Sequence, residues 1–199
     1  MHPLTQAKEI IVAIAAAFTA AAAVAALFRW RNETVWRENR DLARSLVRAC
    51  IGVRDGFAFV RNPFIALGEF PDQPKSAQRR DPEDKYRQDL HVFENRLKIL
   101  AAAMEDLEAA ATEVEVLWGS EIEDHIRALR GCRRELSSLI GEHLGLVRSD
   151  MADSHGGKER WQEVNADMYA THNEDDEFSE TIRAALRAIL DIAEPYLRR

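Results

Sequence analysis

Cysteine, proline and glycine are all scarce in this chain of 199 residues, which holds two, six and nine of them. Two thiols, Cys50 and Cys132, exclude a disulfide framework. Both fall on apolar faces of predicted helices, where free cysteine behaves as a small hydrophobe, so they read as reduced core thiols. The shortage of Gly and Pro excludes collagen-like and low-complexity chains. Alternating apolar runs bounded by turn residues are also missing, so no strand is predicted and the fold class is all-α.

Catalytic signatures are absent as well. The chain contains no HExxH, GxxxxGK[ST], GxGxxG, CxxC or GxSxG. Helical bundles often build di-metal sites from Glu-x-x-His pairs, but none of the six histidines stands three residues after a glutamate. His91 with Glu94, and Glu121 with His125, share helix faces and read as solvated pairs. The acidic run NEDDE at 173–177 lacks the order of a calcium loop and reads as a cap and macrodipole partner of the last helix. Neither a metal nor a cofactor is expected.

What the chain does hold is charge and apolar surface. Net charge is −7, which makes a nucleic-acid partner unexpected for the chain as a whole. The charge is uneven. From Arg29 to Arg61 eight arginines face four acids, a local +4 directly behind the longest apolar run.

That run covers residues 10–28, and Thr19 is its sole polar member. As a helix it measures roughly 28 Å, close to the hydrocarbon thickness of a bilayer at ~30 Å. Ten of its 19 residues are Ala. Its eight strongly apolar residues contribute roughly −2 to −5 kcal/mol towards insertion. A cleaved leader has support in Val24-Ala25-Ala26, which resembles a small-residue cleavage site, but is opposed by the uncharged balance of MHPLTQAKE and by Arg29 and Arg31 just after that site. A buried helix of a soluble bundle is the other alternative. The expectation is a single transmembrane helix with residues 1–9 outside and 29–199 in the cytoplasm, since flanking arginines stay inside. Trp30 and Trp36 suit the interface. Small residues every four positions (Ala13, Ala17, Ala21, Ala25) allow close helix approach, a weak argument in so Ala-rich a segment.

The remainder shows four heptad-like apolar stripes, predicting helices at 33–61, 82–117, 121–147 and 175–197, with a short helix at 158–170. The first carries Val35, Asn39, Leu42, Leu46, Ala49, Val53, Phe57 and Val60. The second runs from Tyr86 through Leu90, Phe93, Leu97, Leu100, Met104, Leu107 and Ala111 to Val114. It opens on Asp81 and Pro82. Ser120 and Glu123 form a capping-box pattern for the third, which carries Ile122, Ile126, Leu129, Cys132 or Arg133, Leu136, Leu139, His143 and Leu146. The fourth has Phe178, Ile182, Ala185, Ile189, Ile192 and Tyr196. Phe64, Ile65, Leu67 and Phe70 read as anchors of the 61–81 connection. Asn39 and His143 lie on apolar stripes; the latter reads as a satisfied core histidine, with pH sensing as the alternative.

Short and moderate connections favour an antiparallel four-helix bundle with coiled-coil-like packing. Such a bundle would turn Trp118 and the tail with Tyr196, Arg198 and Arg199 towards the bilayer. The membrane-interface set is therefore Arg29, Trp30, Arg31, Trp36, Trp118, Arg198 and Arg199, with lipid as partner. The Arg-rich stretch reads as a topology determinant. One enzymatic alternative exists. Arg148 and His155, with six residues between them, loosely resemble the Arg–His pairing of HEPN ribonucleases, and the resemblance implies a membrane-tethered nuclease of toxin or defence type. A chain this rich in Arg produces that spacing by chance. The expected function is a non-catalytic, membrane-anchored interaction or regulatory module that binds a protein partner or itself.

Overall fold

The computed structural model describes residues 3–71, 81–149, 155–169 and 176–198, and the side chains within them except those of 3–13, 15, 155 and 156. Five α-helices follow one another: α1 (Pro3–Val60), α2 (Pro82–Trp118), α3 (Glu121–Arg148), α4 (His155–Met168) and α5 (Glu177–Leu197), with a single 3-10 turn at Leu67–Glu69. No strand occurs among the described residues. The all-α class and the helical bundle are as the periodicity predicts.

The two helices expected at 10–28 and 33–61 are one helix, α1. No Gly or Pro stands between Pro3 and Gly52, so nothing in the intervening FRWRNET interrupts the hydrogen-bond ladder. The chain forms two compact units, which part between Asp41 and Leu42 within α1. In the first unit Phe18, Leu27, Phe28 and Trp30 are exposed. Among the described residues no helix is long and apolar enough to cross a membrane. Residues 10–13 and 15 of the apolar run have side chains outside the described set.

The second unit, Leu42–Arg198, is the bundle. Gly119, with φ 103°, makes the tight turn that folds α3 back on α2, a conformation an L side chain resists. Pairs of contacts fix the antiparallel order. Arg130 meets Glu108 near the turn, His143 meets Phe93 farther along, and Arg148 approaches Glu83 at the far end. Gly52 and Gly56 of α1 face Ala103 and Leu100 of α2, and Phe57 packs edge-on against Phe178 of α5. The core joins Leu46, Val53, Leu100, Leu107, Leu129, Leu136 and Ile189, all without exposed surface. Burying each such side chain is worth about 1.5–3 kcal/mol.

Three local expectations are corrected, and one alternative that the sequence left open is decided. The apolar face of α3 drifts past its predicted heptad, burying Ile140, Leu144 and Val147 while Leu139 and Leu146 are only half-buried. A straight helix advances 3.6 residues per turn, and a strict seven-residue stripe slips off its face. Cys132, rather than Arg133, takes the inward position. Ser120 stands at the N-cap, but no side-chain hydrogen bond forms, and the Glu123 amide donates instead to its carbonyl. Phe64 and Leu67 are not anchors of the connection; they are 77% and 72% exposed.

Candidate functional site

Three buried polar clusters, rather than a catalytic constellation, mark the bundle. The first centres on Arg96, which is 1% exposed. It lies three residues after Phe93 and four before Leu100, so the stripe of α2 carries it inward. Its Nε and Nη2 donate to both carboxylate oxygens of Glu69, at 2.6 and 3.0 Å. Nη1 and Nη2 also donate to the carbonyls of Asn62 and Phe64, at 2.6 and 2.8 Å. The Glu69 carboxyl is held below its ordinary range chiefly by the bond from Arg96. This guanidinium therefore replaces the apolar anchors the sequence suggested: it grips the backbone at 62–64 and the 3-10 turn, leaving Phe64 and Leu67 displayed outward. Bidentate, charge-assisted bonds of this kind fix geometry as well as adding energy.

The second cluster centres on Arg61, 3% exposed, which sits four residues past Phe57 and immediately after the end of α1. Its guanidinium donates to the Asp167 and Met168 carbonyls at the end of α4 and to Asp176 and Ser179 at the start of α5. It also lies 4.7 Å over the Phe178 ring. Asp176 caps α5, accepting from the Ser179 amide at 2.6 Å. Burial alone would raise the Asp176 carboxyl, but the Ser179 amide and Arg61 together hold it below the usual carboxylate range. The cap reading of the acidic run thus stands for Asp176. The reading of every arginine from 29 to 61 as a topology determinant does not, because Arg61 is a buried clamp. A cavity of about 410 Å³ opens beside it, lined also by Cys132, Glu135, Asp167 and Phe178.

The third cluster lies between α3 and α4. His143 is 5% exposed and packs against Phe93 of α2, against Trp161 of α4 and against Tyr169. Trp161 and Asn165 of α4 and Tyr169, the residue just past its end, follow at four-residue spacing and so share a face, the Tyr169 amide still donating to the Asn165 carbonyl at 3.0 Å. His143 Nδ1, Trp161 Nε1 and both polar atoms of Asn165 are buried without a hydrogen-bond partner. The core histidine is therefore not satisfied as expected. Each unpaired buried group costs about 1–3 kcal/mol, so α4 is held on α3 against a standing penalty. Burial lowers the His143 pKa, and the proximity of Asn165 only partly opposes this. Tyr169 is pushed up to about 12 by burial.

The residues singled out as membrane-facing are dispersed. Arg29, Trp30 and Arg31 are exposed on α1, and Trp36 is near them in sequence. Trp118 stacks on Tyr196, with ring centroids 3.9 Å apart and planes 8° from parallel, so the end of α2 and the end of α5 do meet. Arg198 pairs with Glu194. Arg199 and the side chain of His155 lie outside the described residues. Arg148 sits 5.0 Å over the Tyr86 ring and 3.5 Å from Glu83, at the exposed foot of α2. No group of His, Cys, Asp and Glu able to hold a metal ion occurs among the described residues. Comparison with protein-family models, with curated proteins and with solved structures finds no match.

Proposed function

We propose that the chain is a membrane-anchored, non-catalytic interaction module whose docking element is the loop gripped by Arg96. The observation that carries this reading is the pairing of a fully buried guanidinium with two exposed apolar side chains, Phe64 and Leu67. A loop whose shape is fixed beforehand loses less entropy on binding, and exposed aromatic anchors dominate interface energetics. The partner chemistry that fits is a protein surface with an apolar pocket.

The anchor is supported by the sequence and by exposure. Residues 10–28 are long enough for a bilayer, end at Arg29 and Arg31, and show Phe18, Leu27 and Phe28 uncovered. The N-terminus is then outside and the bundle cytoplasmic, by the charge of the flank. A co-purification from native membranes tests the module directly. Substituting Phe64→Ser and Leu67→Ser together should remove the bound partner without altering the helical content of the chain. Unchanged partner recovery would overturn the assignment of the loop.

A further inference from the structure

We propose that α4 is an acid-released strap: protonation of His143 undocks α4 from α3, while the Arg61 clamp keeps its C-terminal end tethered. The geometry is that of an interface built around one titratable ring. His143 stands on α3 with Phe93 of α2 on one side and Trp161 and Asn165 of α4, with Tyr169, on the other. Nδ1 is buried without a hydrogen bond in the docked geometry, and although Asn165 beside it favours the charged ring, burial outweighs that gain.

The charged surroundings do not rescue an imidazolium. From α2, Lys85 acts on His143 as a like charge. Also from α2, Asp89 and Arg96 act on Tyr169 with opposite signs. From α4 and its end, Tyr169 stays a neutral phenol throughout the physiological range, and Arg160 is bound to Glu142 and Glu163. On α3 itself, Glu142 is committed to Arg160 by a two-point bridge at the surface. Asp89 acts on Tyr169 and not on the His143 ring itself, so burial dominates and the docked state disfavours the proton.

The remaining ties of α4 do not titrate near neutrality, and one of them, the Arg160–Glu142 bridge to α3, is open to solvent and adds little to docking. Val164 and Met168 are buried and indifferent to pH. The Arg61 bonds to the carbonyls of Asp167 and Met168 involve no group that titrates near neutrality. Asp176, their neighbour, is held low and keeps its charge well below neutral pH. Acidification thus loosens the His143 contact first and leaves the far end pinned, exposing the Trp161 face of α4 and the His143–Phe93 surface beneath it.

The sign follows from the lowered value. Above the ordinary histidine range neither docked nor undocked chain is protonated, and docking is at full strength. As pH falls below that range the undocked state takes up the proton and the docked state does not, so docking weakens tenfold per pH unit until the docked pKa is reached. Hydrogen exchange of the full chain, corrected for intrinsic rates, reads this directly. Amides of α4 should lose protection by up to tenfold per unit below about pH 6.5 while those of α2 hold theirs. His143→Phe should make α4 protection independent of pH in this range. Proton NMR titration of His143 in the unaltered chain is the second measurement, and should give a pKa below the ordinary value. Flat α4 protection in the unaltered chain, the same slope in His143→Phe, or a His143 pKa at or above the ordinary value would each overturn the proposal.

Discussion

Arg96 and Arg61 do at the residue scale what apolar side chains do elsewhere in this bundle: they hold connections against the helices. Removing one partner of a buried pair is costly because the surrounding acceptors are left without donors. Arg96→Ala should therefore lower stability by about 3 kcal/mol, read as a fall in the urea midpoint of the full chain. Glu69→Gln keeps the shape and removes the charge, and its effect should depend on pH. The Glu69 carboxyl is lowered in the folded chain, so its contribution is complete above the ordinary carboxylate range. It fades as pH falls through the lowered value. The stability gap between Glu69→Gln and the unaltered chain should then narrow as pH falls below the ordinary carboxylate range and close once the lowered value is passed. A gap that is constant over that fall in pH would show that the ion pair is not the source. Both arginines stand next to the residues that the apolar stripes place inward, Arg96 beside Leu97 and Arg61 beside Val60. Binary patterning conceals them because it assigns charged residues to the solvated face, and nothing local announces that distant carbonyls need donors.

Helices were the most legible level. The starts of α2 and α5 follow from Pro82 and from the acidic run, and the turn after Trp118 follows from Gly119. The stripes of α2 and α5 follow the 3-4 alternation for most of their length, but Leu97 and Ile192 are half-buried while Arg96 and Ala193 beside them are buried. What could not be read was how an exact heptad fails over the 28 residues of α3, because a seven-residue repeat stays on one face only where helices supercoil enough to absorb the drift. The continuity of α1 was equally hidden, since propensity permits a helix through residues 29–34 without requiring one. Glycines give a contrast that can be measured. A Cβ on Gly56 would lie 3.1 Å from Leu100 Cδ1 and 3.3 Å from its Cα, and the backbone cannot easily withdraw. Gly56→Val should cost about 1–3 kcal/mol by overpacking the α1–α2 contact. Gly141 has open space around the same position and is exposed, so Gly141→Ala should stabilise α3 by about 0.5–1 kcal/mol. Thermal unfolding of the two variants should move in opposite directions, and a shared direction would contradict this packing.

At the scale of the whole molecule, the bundle places the loop gripped by Arg96 and its three polar clusters towards the end where α1 finishes and α2 begins. The opposite end carries the Trp118–Tyr196 stack and the beginning of the α1 segment within the bundle. The loop with Phe64 and Leu67 is thus at the end of the bundle away from the Trp118–Tyr196 stack. The proposed module also depends on residues 10–28 lodging in a bilayer. Extraction of membranes that contain the intact chain with alkaline carbonate decides the matter. The chain should remain in the sedimented membranes together with integral proteins. Its quantitative release into the supernatant would contradict the anchor and, with it, the cytoplasmic address of the bundle.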